Sequence, residues 1–482
     1  MLCNIICVII RFCETDITEV TDLKPIDQLL KEIKRVHFIG IGGSGMCPLA
    51  EILHAQGYEV SGSDVNESET LGRVRALGIP VSMPQKAENI EGAEMIVYTA
   101  ALLADNPELC AAKASGIPTF ERSKLFGAIS RMYNNAVCVC GTHGKTTVTA
   151  MLAHIMIKTG LDPSAVIGGR LPLTQTNGRV GKTENIVCEA CEFVDTFLDL
   201  SPDVAVILNI DEDHMDYFKT MDNLIASFTK FCNLTTRTLV VNKSDENVMK
   251  AVENAEPKQV VTYGYTADCD FYPENISYTR GAYAKFDICH KGESICTVQL
   301  GIPGEHNVLN TLSAVAAAWV SGVEIKESAA AVESFGGAGR RFEKIGEWNG
   351  ITLIDDYAHH PAELEVTLRA AKAMGYNRVW AVHQPFTYTR TYRLMDDFAR
   401  VLSIADKVVM TEIMGSREVN TLGVYTSQLA DKIPGSVWFN TFDEVARYVV
   451  DNAESGDIVI TMGCGDIYKA GKLMIKLWEG KE

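Results

Sequence analysis

Apolar and polar positions change period several times along this chain, and each change marks an element. The run VHFI at 36–39 is mostly apolar, as a strand covered on both faces should be, and it stops at a glycine turn. After the turn Met46, Leu49, Ala50 and Leu53 recur at helical spacing, and Gly57 ends the pattern before a second extended run, YEVSGSD. MIVYTAAL reads as a further strand, and GIPTFERSKLFGAISR as the last strand and helix of a first unit ending near 133. A new strand, AVCVC, opens the next unit, and the helix after it places Val148, Met151, Leu152, Ile155 and Met156 on one face. NIVCEA and DVAVILNI supply two more apolar strands. Between about 260 and 300 the period falls to two, with aromatic and turn residues interleaved, which predicts an antiparallel meander. PGEHNVLNTLSAVAAAW then resumes a helix. From Gly339 a third series begins: GITLIDDYAHH, a helix from Pro361, RVWAVHQP, KVVMTEI, SVWFN and DIVITMGCGDIYKAG.

This order predicts an α/β protein of three domains. They are a Rossmann-like N-terminal domain over 35–133 after an extension at 1–34, a central domain over 134–338 and a C-terminal Rossmann-like α/β domain over 339–482. The central domain reads as a P-loop ATPase with a parallel sheet and a small antiparallel part. At 482 residues the chain is too long for one core. The start MLCNIICVIIRFC has no basic leading segment and too short an apolar run for a targeting signal. No stretch approaches the roughly 20 apolar residues of a membrane span.

Charge narrows the partners. The chain carries 44 basic and 62 acidic residues, a net charge of −18, which argues against a nucleic acid or an anionic membrane as the main partner. Anionic ligands must then be met by local basic and N–H clusters. The 14 cysteines show no disulfide framework, and a chain of this size needs none, so a reducing cytoplasm is expected. Cys188 and Cys191 form a lone CxxC, read as a strand position rather than a zinc site.

Two glycine loops carry the chemistry. The first, FIGIGGSGM, has glycines at 40, 42 and 45 and an acidic Asp64 about 20 residues on, the pattern of a nucleotide-binding βαβ opening. The second, CGTHGKTTVT, is a compressed P-loop. Gly141, Thr142, His143 and Gly144 would wrap phosphate with backbone N–H groups, Lys145 would add a point charge, and Thr146 or Thr147 would reach a magnesium ion. Glu189 ends one neighbouring strand, and His214 ends the acidic turn NIDEDH after the other; both are candidate metal ligands beside the loop. A lone histidine in such a turn can equally be a packing residue. Asp355, Asp356, His359 and His360 crowd a third strand end, where one aspartate could simply cap the following helix. In GRRF at 339–342 an arginine beside the crevice could clamp phosphate.

Taken in order, GTHGKTT, EACE, NIDEDHMDYF, PGEHNVLN, GRRF and DDYAHHP resemble the ATP-dependent Mur ligases, over about 36–482. HFIGIGGSGM with SGSD, and QPFTYTRT with GCGDIY, are most similar to the members that join L-alanine to UDP-N-acetylmuramate for peptidoglycan synthesis. The resemblance implies two nucleotides, a UDP-sugar on the first loop and ATP on the second. It implies that Lys145, His214 and Arg341 are catalytic, and that Thr146, Thr147, Glu189 and His214 surround Mg2+. Asn307, Asn310, Arg341, Asp356 and His359 would join the P-loop in binding ATP, and Gly42, Gly43, Ser44, Gly45 and Asp64 would face UDP. Two departures stand out. QPFTYTRT replaces the family's QPHRYTRT, so Phe386 and Thr387 stand for a His-Arg pair and Arg390 is left to bind the amino acid. EACEFVD replaces EADESD, which keeps Glu189 and Glu192 but loses one acid.

The reaction so implied is an amide ligation through an acyl phosphate, in a cytoplasmic monomer or homodimer. A sister ligase that joins a murein tripeptide to the same sugar is the alternative. A dinucleotide-dependent oxidoreductase rests on GIGGSG alone and leaves Lys145, Glu189 and His214 idle. A nucleotide-binding regulator without catalysis is the third reading.

Overall fold

A computed structural model describes residues 25–480 apart from 257 and 417, so the apolar start lies outside the described residues. The end of the expected extension is a helix, Ile26–Glu32, tied down where Arg131 Nε donates to Asp27 Oδ1 at 2.8 Å.

The first sheet is wholly parallel. Its strands β1 (Arg35–Ile39), β2 (Glu59–Ser63), β3 (Val81–Ser82), β4 (Met95–Tyr98) and β5 (Thr119–Glu121) lie in the order β3-β2-β1-β4-β5. The chain leaves β1 for β2 on one side and returns to β4 on the other, so a crevice opens beyond its carboxyl end. The first glycine loop fills that end, with Gly40 at φ +85°.

Ten strands form the central sheet. They are β6 (Asn135–Cys140), β7 (Ser164–Leu171), β8 (Thr176–Arg179), β9 (Asn185–Glu189), β10 (Val204–Ile207), β11 (Thr238–Asn242), β12 (Gln259–Tyr263), β13 (Phe271–Thr279), β14 (Tyr283–His290) and β15 (Glu293–Gln299). Their order is β15-β14-β13-β12-β11-β10-β6-β9-β7-β8. The antiparallel meander is β13 to β15, as the alternating run predicts. The hairpin of β7 and β8 was not expected, because TNGR and the Gly168-Gly169 pair carry no apolar alternation. This hairpin also explains the helix Cys47–Ala55, which is buried from Cys47 to Leu53 instead of along one stripe. A Cβ on Gly178 of β8 would come within 2.5 Å of Pro48, so the helix is covered from the central sheet as well as from its own.

The third sheet contains β16 (Glu343–Trp348), β17 (Ile351–Asp356), β18 (Val379–His383), β19 (Lys407–Thr411), β20 (Val437–Phe439) and β21 (Ile458–Met462), ordered β16-β17-β21-β18-β19-β20. All neighbours are parallel except β16 on β17. The edge strand β16 escaped the sequence reading because EKIGEW is partly exposed throughout and has neither an apolar run nor strict alternation. Among the described residues no helix is long and apolar enough to cross a membrane.

Candidate active site

The order β10-β6-β9 puts three carboxyl ends side by side, and the second glycine loop leaves the middle one. Gly141 at φ +135° and Gly144 at φ +87° make the tight turn that precedes the helix Lys145–Lys158. A Cβ on Gly144 would also meet Asn310 Oδ1 at 2.9 Å. The turn is held from β10: Thr142 N donates to Asn209 O at 3.0 Å, His143 N to Asn209 Oδ1 at 2.8 Å, and Asp211 N to Thr142 Oγ1 at 2.9 Å. Lys145 Nζ folds over the loop and donates to Gly141 O at 2.6 Å, Thr142 O at 3.1 Å and Glu192 Oε1 at 3.0 Å. Burial disfavours the ammonium, yet Glu192, together with Cys191 and Glu189, outweighs it and holds the Lys145 pKa above the ordinary lysine value.

Thr146 Oγ1 donates to Glu189 Oε1 at 2.8 Å, and Gly168 N donates to Glu189 Oε2 at 2.6 Å. From the third domain Arg341 Nη2 reaches to 3.5 Å from the same Thr146 hydroxyl. These are hard oxygen groups beside a phosphate loop, and they fit Mg2+, which takes one or two protein oxygens and completes its shell with phosphate and water. Thr147 follows Thr146 on the same helix turn. His214 occupies the N-cap position of the short helix Met215–Phe218 at φ +55° without a side-chain cap bond; its ring lies 4.7 Å from that of Phe193, and its Nε2 is 3.7 Å from Asp213 Oδ2. No group of three or more His, Cys, Asp or Glu that could hold a metal exists among the described residues, and the CxxC at 188–191 is no exception.

At the first loop Gly42 N donates to Asp64 Oδ2 at 2.9 Å, while Asp64 Oδ1 accepts from Val65 N and Asn66 N. Asp64 therefore pins the glycine turn to the end of β2. A cavity of about 410 Å³ runs from Gly43, Ser44 and Gly45 to Gly168, Glu189 and Cys191. The cavity thus runs from the first loop to Glu189, the carboxylate that accepts from Thr146 of the second.

The two arginines of GRRF divide. Arg340 is a staple, with Nε on Asp355 Oδ2 at 2.9 Å and Nη2 on Gly463 O at 2.6 Å, whereas Arg341 faces the P-loop. Asp356 accepts from Ala358 N at 2.7 Å and Phe342 N at 2.8 Å. Burial pushes its carboxyl from the ordinary 3.8 up to about 6, against the pull of Arg341. The helix Pro361–Ala373 is capped by His360 in a capping box with Glu363, so neither aspartate serves as the cap. His359 Nδ1 lies 3.3 Å from Glu363 Oε2, and burial lowers its pKa. Asn310 Nδ2 donates to Asn307 Oδ1 at 2.8 Å and Asn307 Nδ2 to Pro303 O at 2.7 Å. In QPFTYTRT, Thr387 sits at φ +60°, an unusual conformation for a β-branched residue, and starts the helix Tyr388–Arg393. Arg390 Nη1 is buried there with no hydrogen-bond partner.

Sequence reading missed two residues that shape the loop. Glu192, noted only as retained, is the carboxylate against Lys145, and Asn209 is the side chain that clasps His143 through both its oxygen and its nitrogen. The signal for both was weak, an acid and an amide just past apolar strands.

Three family descriptions match in succession: the Mur ligase family catalytic domain at 35–134, the Mur ligase middle domain at 139–318, and the Mur ligase glutamate ligase domain at 340–465. A UDP-N-acetylmuramate–L-alanine ligase of Acetivibrio thermocellus is 41% identical over 92% of this chain and 96% of its own. The corresponding protein of Agathobacter rectalis is 40% identical over 92% and 97%. Among solved structures, a UDP-N-acetylmuramate-alanine ligase from Thermotoga maritima superposes with a TM-score of 0.80 at 28% identity, covering 92% of this chain and 99% of that one. A murein peptide ligase from Psychrobacter arcticus follows the same fold, with a TM-score of 0.71 at 23% identity over 92% and 98%. With all three of its domains matched in order and such relatives along most of its length, the chain belongs to the Mur ligase family.

Proposed function

We propose that this chain forms the amide between the lactyl carboxylate of UDP-N-acetylmuramate and L-alanine at the expense of ATP, a step of peptidoglycan synthesis that serves cell shape and division. The observation that carries the reading is the cavity that runs from a glycine loop suited to a UDP-sugar to Glu189, the carboxylate bonded to Thr146 of the P-loop helix. ATP would lie on the turn 141–146, with Lys145 against its outer phosphates and Arg341 closing from the third domain. A lactyl oxygen then attacks the terminal phosphorus as the bond to ADP breaks. The amine of L-alanine attacks the resulting carbonyl, phosphate leaves, and the amine gives up its proton. Thr146, Thr147 and Glu189 would hold Mg2+, with His214 as a further ligand; bound there, the ion would neutralise phosphate charge. Asn307 and Asn310, beside Gly144, and Asp356 and His359, across the cleft, would bound the nucleoside end of ATP. Gly42 to Gly45 and the turn pinned by Asp64 would receive the UDP diphosphate.

Arg390 would pair with the carboxylate of L-alanine. Its buried, unpartnered Nη1 is a donor without an acceptor, and a carboxylate supplies one. Cytoplasmic location accords with free thiols at every described cysteine and with ATP as co-substrate. The tripeptide-joining alternative has less support, since the likeness to a murein peptide ligase extends only to the fold. ADP release, measured with UDP-N-acetylmuramate and each of L-alanine, glycine, L-serine and the tripeptide, tests the reading: L-alanine should give the highest kcat/KM, and preference for the tripeptide would overturn it.

A further inference from the structure

Among the described residues, one cation lining this cavity has no hydrogen-bond or ion-pair partner. Arg122 begins the helix Arg122–Ser130, directly after β5, and lines the cavity with Ser44, Gly45, Glu189 and Cys191. Its side chain lies flat against the first glycine loop: a Cβ on Gly45 would meet Arg122 Cδ at 3.1 Å, Nη1 at 3.2 Å and Cζ at 3.3 Å. Gly45 is thus a close-approach glycine, kept small by the guanidinium above it. Burial is the largest influence on this group and pulls its pKa down; Cys191 and Glu121 nearby pull the other way. Yet it donates no hydrogen bond and forms no ion pair among the described residues. Neighbouring cations behave differently, for Arg73 is paired with Glu51 and Lys124 with Asp199. A half-buried guanidinium with five donors and no acceptor is costly unless a ligand completes it.

We propose that Arg122 binds an oxyanion of the sugar nucleotide, between the N–H groups of the first glycine loop and the reacting end of the cavity at Glu189. The proposal rests on the reading of that loop as the UDP-sugar site. A planar guanidinium there can fork onto two oxygens, whether they belong to the diphosphate or to the lactyl carboxylate. Cys191, which also lines this cavity, is a thiol and gives Arg122 no carboxylate counter-ion.

Calorimetry on the full chain with UDP, UDP-N-acetylmuramate and ATP, for wild type, Arg122→Ala and Arg122→Lys, tests it. Arg122→Ala should weaken UDP-N-acetylmuramate about tenfold or more and leave ATP within about twofold, the loss of one charged hydrogen-bonding group. Arg122→Lys should recover part of the loss, since it keeps the charge without the fork. Equal weakening of UDP assigns the contact to the diphosphate, and weakening of UDP-N-acetylmuramate alone assigns it to the carboxylate. Unchanged UDP-N-acetylmuramate affinity in folded Arg122→Ala, or an equal loss for ATP, would overturn the proposal. Failure of wild type itself to bind UDP-N-acetylmuramate would instead overturn the ligase reading.

Discussion

The two glycine loops stand at equivalent places, each beyond the carboxyl end of a central parallel strand, and they solve different problems. The first is closed by a carboxylate: Asp64 accepts from Gly42 N, and the cation that lies against Gly45 is Arg122, on a separate helix. The second carries its own cation, Lys145, whose ammonium is held by its acid, Glu192, while Asn209 clasps the turn at Thr142 and His143. A loop that must bind a diphosphate and leave it intact needs donors and shape. A loop that must transfer a phosphoryl group needs charge that can follow the phosphorus. The contrast teaches that position in an α/β sheet predicts a nucleotide site, and that the charged side chains beside the glycines decide what is done there.

Breaking the contrast at the second loop should have the largest effect. Lys145→Ala is expected to lower turnover about a thousandfold while UDP-N-acetylmuramate binds within about twofold of wild type, measured by ADP release and calorimetry. Parallel loss of sugar-nucleotide affinity would merge the two sites into one. In the helix Tyr388–Arg393 beyond β18, Arg390→Lys should raise the KM for L-alanine about tenfold and spare that for ATP, because an ammonium cannot reproduce the planar fork; equal rises would move Arg390 out of the amino-acid pocket. Asp64→Ala sharpens the comparison from the other side. It should weaken UDP-N-acetylmuramate severalfold, by freeing the Gly42 turn, with ATP affinity unchanged. An unaltered dissociation constant for the sugar nucleotide would show that the turn holds its shape without the carboxylate.

The smallest effect concerns acid stability. Asp356 keeps its proton to about pH 6 when folded but only to about 3.8 when unfolded, so the folded state binds the extra proton between those values. Wild type should therefore lose stability relative to Asp356→Asn as pH rises through that window, by a few degrees of melting temperature at most. A constant difference between the two proteins from pH 4 to 7 would show that the buried carboxyl is not protonated there.

The P-loop and its helix were legible in the sequence because their chemistry lies in consecutive residues, but the single apolar face read at Val148, Met151, Leu152, Ile155 and Met156 was too narrow: Thr149, Ala150, Ala153 and His154 are buried as well, so the helix is covered on more than one side. Sheet membership was legible where strands are buried on both faces. β16 and the hairpin of β7 and β8 were not, since partly exposed polar strands take their stability from partners that periodicity does not reveal. Contacts across distance were hidden for a related reason. Asn209 lies 66 residues from His143, and Glu192 lies 47 from Lys145, so nothing local ties either to the loop. Arg340 and Arg341 are alike in sequence, and only the fold turns one to Asp355 and the other to Thr146. Arg122, in a segment that reads as an ordinary surface helix start, becomes a cavity residue only when the first and central domains meet.

One measurement reaches the chemistry that the second loop is built for. UDP-N-acetylmuramate labelled with heavy oxygen in its lactyl carboxylate should, on reaction with ATP and L-alanine, pass one label to the released phosphate for every amide formed, because the carboxylate oxygen leaves on phosphorus. Phosphate free of label, released alongside the amide, would contradict the acyl-phosphate route and with it the role given to Lys145 and Glu189.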